Sequence, residues 1–188
     1  MMLDEDTYIK LKQFAAMESK NLKRRVTLNE TISKAIRKMT VLAFMDRNVR
    51  DYITEFVEKA SLDKNVTGII LFGSVARDDF SKYSDIDIAI IVNGSFIDAF
   101  KSVSKAIYSL KDEKIRLLEN NGLYLYISPF IITPGSANKL EPVYFDIADY
   151  GIPLFERGQA LSDFINDISK IKYSRRFTEA GEVLEWTR

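Results

Sequence analysis

The sequence predicts an α+β fold: a mixed β-sheet with helices on one face, set behind an N-terminal helical extension. Three observations predict it. Apolar residues recur at helical spacing through the first 60 positions; from Val66 onward, short β-branched apolar runs alternate with helix-length segments; and the runs at 66–72 and 85–92 read as a hairpin-like pair followed by a helix and a further strand. A chain of 188 residues with 46% hydrophobic content can bury one substantial core and carry a smaller appended layer. The expected organisation is therefore an extension at 1–62, a core at 63–158, and a C-terminal helix and tail at 159–188.

Each element has its own local reason. Thr27 and Glu30 form a capping-box pair, after which Leu28, Ile32, Ile36 and Met39 fall on one helical face. A second periodic run from Val41 to Ala60 ends at Ser61-Leu62-Asp63. The core then reads as strand 66–72, short helix 74–79, strand 85–92, an Asn93-Gly94 turn, one long helix 95–119, an Asn120-Asn121-Gly122 break and strand 123–132. Pro134-Gly135-Ser136 opens a loop, 142–150 forms a helix and 152–155 a short strand. A last helix, 161–172, places Leu161, Phe164, Ile165, Ile168 and Ile171 on one side, and 173–188 shows no clear period and reads as a loosely attached tail.

Composition removes whole classes of chemistry. There is no cysteine and no histidine, so disulfides, thiolate nucleophiles, ordinary structural zinc sites and histidine acid–base catalysis are excluded. Carboxylates, hydroxyls, amines and a bound metal must supply any reaction. Basic and acidic residues balance at 27 each, which argues against a dedicated nucleic-acid binder. The start is acidic rather than basic-then-apolar, and no apolar run approaches the roughly 20 residues needed to span a bilayer. A cytoplasmic protein with no membrane partner is expected.

The most informative stretch is LFGSVARDDFSKYSDIDIAI, residues 71–90, in which Gly73-Ser74 is followed after ten residues by Asp85-Ile86-Asp87. On a strand, alternate side chains share a face, so Asp85 and Asp87 project together while Ile86 and Ile88 enter the opposite layer. Paired carboxylates suit a hard cation. The apolar run 68–72 stops at Gly73-Ser74, where a helical turn through Arg77 begins and leaves free amide donors for an anion. A cation site beside an anion site describes a place for a metal–nucleoside triphosphate complex.

On this GSx10DxD pattern the chain resembles the minimal nucleotidyltransferases of the DNA polymerase β superfamily, which are found in archaea and bacteria. The specific match covers residues 66–92, a weaker similarity runs through EPVYFDIADYGIPLFERG at 141–158, and the first 60 residues match nothing nameable. The resemblance implies the polymerase-β-like sheet and a reaction that nucleotidylates an acceptor and releases pyrophosphate. It implies that Gly73 and Ser74 hold the triphosphate and that Asp85 and Asp87 are catalytic and bind two Mg²⁺ ions. ATP is the implied nucleotide. Arg77, and less directly Lys82, would meet phosphate oxygens. Minimal members are often encoded beside an all-helical HEPN-type toxin, which implies a protein partner and an antitoxin role.

One departure stands out. The family carries a third carboxylate on a later strand, and the corresponding Leu123–Ser128 segment has none. With normal alternation Tyr124, Tyr126 and Ser128 occupy the face where the acid belongs. Glu119, Glu141 and Asp146 are the alternatives from elsewhere. Each sharp reading has a plain one beside it. Arg77 either meets phosphate or pairs with Asp78, Asp79 or Asp85, and Lys82 is otherwise an exposed loop lysine. The aromatics at 124, 126, 130, 144, 145 and 150 either stack a base or fill the core. The basic run Lys20, Lys23, Arg24 and Arg25 is either a solvated surface or a nucleic-acid contact made through residues 1–62. The N-terminal helices either buttress the sheet or form a homo-oligomer surface. A fold that keeps the nucleotide but binds its partner without turnover is the alternative to an enzyme.

Overall fold

The computed structural model describes residues 4–22, 27–134, 136, 141–178 and 181–187. The basic residues Lys23, Arg24 and Arg25 lie outside them, as do Gly135 and the side chains of Lys20 and Met39. Three helices open the chain: α1 (Glu5–Leu22), α2 (Leu28–Phe44) and α3 (Arg47–Ala60). The Thr27 capping box forms as expected, with Glu30 N–H donating to Thr27 Oγ1 at 3.2 Å and Thr27 N–H donating to Glu30 Oε2 at 2.7 Å. The 41–60 run is divided, because Asp46 accepts from the N–H groups of Asn48 and Val49 and so starts α3 afresh.

The sheet consists of β1 (Val66–Leu71), β2 (Ile86–Val92), β3 (Ile127–Ile132) and β4 (Ile152–Glu156), in the order β3-β2-β1-β4. β1 runs antiparallel to β2 and β4, and β2 runs parallel to β3, so the sheet is mixed. Between β1 and β2 lies α4 (Gly73–Arg77). The crossover to β3 is two helices, α5 (Phe96–Tyr108) and α6 (Asp112–Asn120), rather than one. The break comes where Ser109 Oγ donates to the Ala106 carbonyl at 2.8 Å and Leu110 turns inward to 5% exposure. α7 (Pro142–Tyr150) and α8 (Ala160–Ser169) follow β3 and β4.

Helices cover both faces of the sheet, which corrects the expectation of one covered face. Ile69, Leu71, Ile86, Ile88 and Ile90 pack with Val49, Tyr52 and Phe56 of α3 and with apolar residues of α5 and α6. The alternate residues Ile70, Ala89 and Ile91 pack with Tyr144, Phe145 and Ile147 of α7 and with Leu161, Phe164 and Ile168 of α8. A strand buried on both sides reads as an unbroken apolar run, and β1 and β2 do. Each fully buried Ile or Leu contributes about 1.5–3 kcal/mol, so these strands form a stiff frame. The 62/63 division falls between α3 and β1, yet α3 belongs to the same buried cluster as the sheet.

The segment 173–188 is also corrected. β5 (Lys172–Thr178) and β6 (Gly181–Thr187) form an antiparallel hairpin in which Tyr173 faces Trp186. Their rings lie 4.3 and 5.6 Å from the ring of Phe145, so the hairpin is fastened to α7. Among the described residues no helix is long and apolar enough to cross a membrane.

Candidate nucleotide and metal site

β1 ends directly beneath the site. Phe72 N–H donates to the Asp87 carbonyl at 2.9 Å, and the chain then turns at Gly73, whose φ is +71°. A Cβ at this position would lie 2.9 Å from Asp87 Cγ and overlap its Oδ2. Only glycine tolerates both the backbone angle and the closeness. The Gly73-Ser74 turn and the second carboxylate are thus in direct contact.

α4 is short and ends at Asp78, a non-glycine residue with φ of 61°. That left-handed step lets Asp79 N–H donate to the Ser74 carbonyl at 3.0 Å and brings the Asp79 carboxylate back to Arg77. Arg77 Nε donates to Asp79 Oδ2 at 3.2 Å, while Nη1 donates to both oxygens of Asp146 on α7, at 3.1 and 2.9 Å. Of the structural partners expected for Arg77, Asp79 is present, and the second is Asp146, 69 residues away.

Asp85 is exposed and stands immediately before β2, while Asp87 is half-buried within it. The carboxyl of Asp87 is pushed above the usual carboxylate range, first by burial and then by the charge of Asp85; Asp146 adds to the effect and Arg77 opposes it. Negative charge therefore accumulates around Asp87. A cation would relieve it. With no histidine or cysteine in the chain, the donors are all hard oxygens, which fit Mg²⁺. Among the described residues no group of three or more acidic side chains is arranged to hold a metal by itself. Two carboxylates completed by phosphate oxygens and water are the ordinary way for Mg²⁺ to be bound beside a nucleotide.

Lys82 is not brought to this cluster. Its Nζ lies 4.9 Å above the Tyr83 ring, and its carbonyl accepts from Tyr124 N–H at 2.7 Å. Tyr83 and Tyr124 stack with their centroids 5.4 Å apart, and both are exposed.

β3 begins at Ile127, so residues 123–126 are not strand and their alternation is not set by the sheet. Tyr126 O–H donates to Glu119 Oε1 of α6 at 2.9 Å, which commits one of the candidate replacement acids to a phenol. Ser128 is the residue paired with Asp87 across the parallel ladder. The position beside Asp87 on the neighbouring strand therefore carries a hydroxyl, and β3 contains no carboxylate.

The nucleotidyltransferase domain family matches residues 49–173, a span running from α3 through the sheet to the first residues of the hairpin. No curated protein matches the chain. Among solved structures, the chain is similar to a Sulfolobus solfataricus protein assigned as a nucleotidyltransferase, at 17% identity over 66% of this chain and 88% of that one, with a TM-score of 0.32. It is also similar to a toxin–antitoxin structure with AMP-PNP, at 20% identity over 62% of this chain and 84% of that one, with a TM-score of 0.37.

Proposed function

Because the chain belongs to the nucleotidyltransferase domain family, we propose that it transfers a nucleoside monophosphate, AMP from ATP, to a hydroxyl acceptor in a Mg²⁺-dependent reaction. The observation that carries this reading is the contact between Gly73 and Asp87, which joins the phosphate turn to the metal carboxylate. Gly73 and Ser74 receive the triphosphate, and Arg77 meets one of its oxygens. Asp85 and Asp87 would hold Mg²⁺ against the phosphates, where it supplies charge neutralisation and acidifies the acceptor hydroxyl. The acceptor oxygen would then bond to the α-phosphorus while its proton passes to water, the bond from the α-phosphorus to the α–β bridging oxygen would break, and pyrophosphate would leave with that oxygen. A hydroxyl on a helical HEPN-type protein is the first acceptor to test, on the strength of the GSx10DxD resemblance.

A second reading is favoured by Ser128. With a hydroxyl beside Asp87 where the family has an acid, the chain would bind nucleotide and a partner protein without turnover. Pyrophosphate release from ATP and Mg²⁺ with candidate acceptors separates the two. The enzyme reading predicts release that Asp87→Ala abolishes; no release from either protein, with ATP still bound by wild type, would leave the binding module.

A further inference from the structure

The guanidinium at the site is held before any ligand arrives. Arg77 is tied at Nε by Asp79 and at Nη1 by both oxygens of Asp146, and its Cζ lies 5.9 Å from the centre of the Tyr150 ring. Nη2 takes part in neither ion pair, and the side chain is 31% exposed. Ordering a long side chain costs rotamer freedom. Here that cost is met in the free protein, so little remains to be lost when an anion meets the open edge of the fork.

The groups that hold Arg77 are themselves fixed. Asp146 follows Phe145, which is fully buried and contacts the rings of both Tyr173 and Trp186. Tyr173 O–H donates to Asp149 Oδ1 at 2.6 Å, so the C-terminal hairpin sets the rotation of α7. From that helix Asp146 reaches α4 rather than solvent.

We propose that Asp146, assisted by Asp79, is the positioning residue that presents Arg77 to the triphosphate, and that it is not a substitute for the absent metal carboxylate. The proposal rests on the nucleotide and metal reading given above. Both Asp146 oxygens are engaged by Nη1, and no three-acid group around Asp87 is arranged for a metal among the described residues. The two roles differ in sign. As a bare negative charge near the phosphates, Asp146 opposes triphosphate binding, and its removal would tighten it. As a positioning residue it supports binding, and its removal weakens it.

The test uses the full chain with inorganic tripolyphosphate and Mg²⁺, which reads the phosphate site without a base, and with Mn²⁺ alone, which reads the carboxylates. Asp146→Asn is expected to weaken tripolyphosphate binding by about 10-fold or more, the usual loss when a supporting partner is removed. Mn²⁺ affinity stays unchanged, Asp146→Glu recovers part of the loss, and Asp146→Asn has no further effect in an Arg77→Ala background. Asp79→Asn, at an exposed position that does not endanger folding, gives a smaller loss of the same sign. Equal or tighter tripolyphosphate binding by Asp146→Asn overturns the proposal, as does a parallel fall in Mn²⁺ affinity, which would make Asp146 a ligand. Should Asp146→Asn fail to fold, unchanged binding by Asp79→Asn overturns it instead. Wild type that binds no Mg²⁺–tripolyphosphate defeats the underlying reading and this one with it, whereas binding by wild type and by Asp146→Asn alike defeats only the role of Asp146.

Discussion

Strands β2 and β3 lie side by side in register, yet they bring opposite chemistry to the same edge of the sheet. β2 and the residue before it contribute Asp87 and Asp85, while their counterparts across the ladder are Ser128, paired with Asp87, and Tyr126, whose carbonyl accepts from Ile86 N–H. The β2 side concentrates negative charge in a half-buried place, which costs stability unless a cation is present. The β3 side carries hydroxyls, which need no counter-ion. On the proposed reading, binding a metal–nucleotide complex and activating an acceptor are separable, since the repelled carboxylates lie on the β2 side while β3 carries no carboxylate.

Breaking the β2 side has the largest effect. Loss of a metal-supporting outer partner alone costs 10–100-fold, so Asp87→Asn is expected to weaken Mg²⁺-dependent ATP binding by more than about 100-fold in a calorimetric titration. The same substitution is expected to raise metal-free stability by about 1 kcal/mol, because it removes a repelled carboxylate from a site shaped for function. The sign can be followed with pH. The folded-state pKa of Asp87 is raised, so its favourable contribution is complete below the ordinary carboxylate value and is lost as pH rises through the raised one. In EDTA, thermal melts of wild type and Asp87→Asn should therefore converge in acid and diverge in favour of the variant as pH rises from about 4 towards neutrality. A constant gap across pH would show that charge is not the cause.

Gly73→Ala comes next. Its Cβ overlaps the Asp87 carboxylate and its backbone angle is left-handed, so chemical denaturation should show a loss of about 1–3 kcal/mol, and Mg²⁺–ATP binding should fall as Asp87 is displaced.

Ser128→Asp sharpens the comparison from the other side by placing an acid where the β3 ladder faces Asp87. Pyrophosphate release with a competent acceptor should increase about 10-fold or more if a base is what the site lacks, since positioned general bases contribute 100-fold or more in favourable cases. Metal-free stability should fall, because a third carboxylate adds to the repulsion. Tyr126→Phe is the smallest change. It removes an exposed bond to Glu119, should leave the thermal melting point unchanged within error, and should leave Mg²⁺–ATP binding unaltered.

The parts legible in sequence were those whose cause is local. The Thr27 cap, the β1–α4–β2 passage and the helix at 142–150 follow from patterns within about ten residues, and the mixed α+β class follows from their order. The remainder depends on distant partners. One helix was expected at 95–119, but α5 closes at the Ser109 cap and α6 starts afresh at Asp112, a break that no glycine or proline marks. The C-terminal hairpin has no Asn-Gly or Asp-Gly signal between its strands, and its pairing is stabilised against Phe145, nearly thirty residues upstream of Tyr173. Helices on the second face were missed because a run of Ile and Val does not say which neighbours cover it. At the site, Gly73, Ser74, Asp85 and Asp87 were visible as a motif. The attachment of Arg77 to Asp146 was not, since no spacing rule links an α4 arginine to an aspartate 69 residues later.

The most direct test of the nucleotide and metal platform is a calorimetric titration of a nonhydrolysable ATP analogue into the full chain, with and without Mg²⁺, for wild type and Asp87→Asn. The account predicts binding that requires Mg²⁺ and disappears in the variant. Binding that is indifferent to Mg²⁺, or that survives intact in Asp87→Asn, would contradict it.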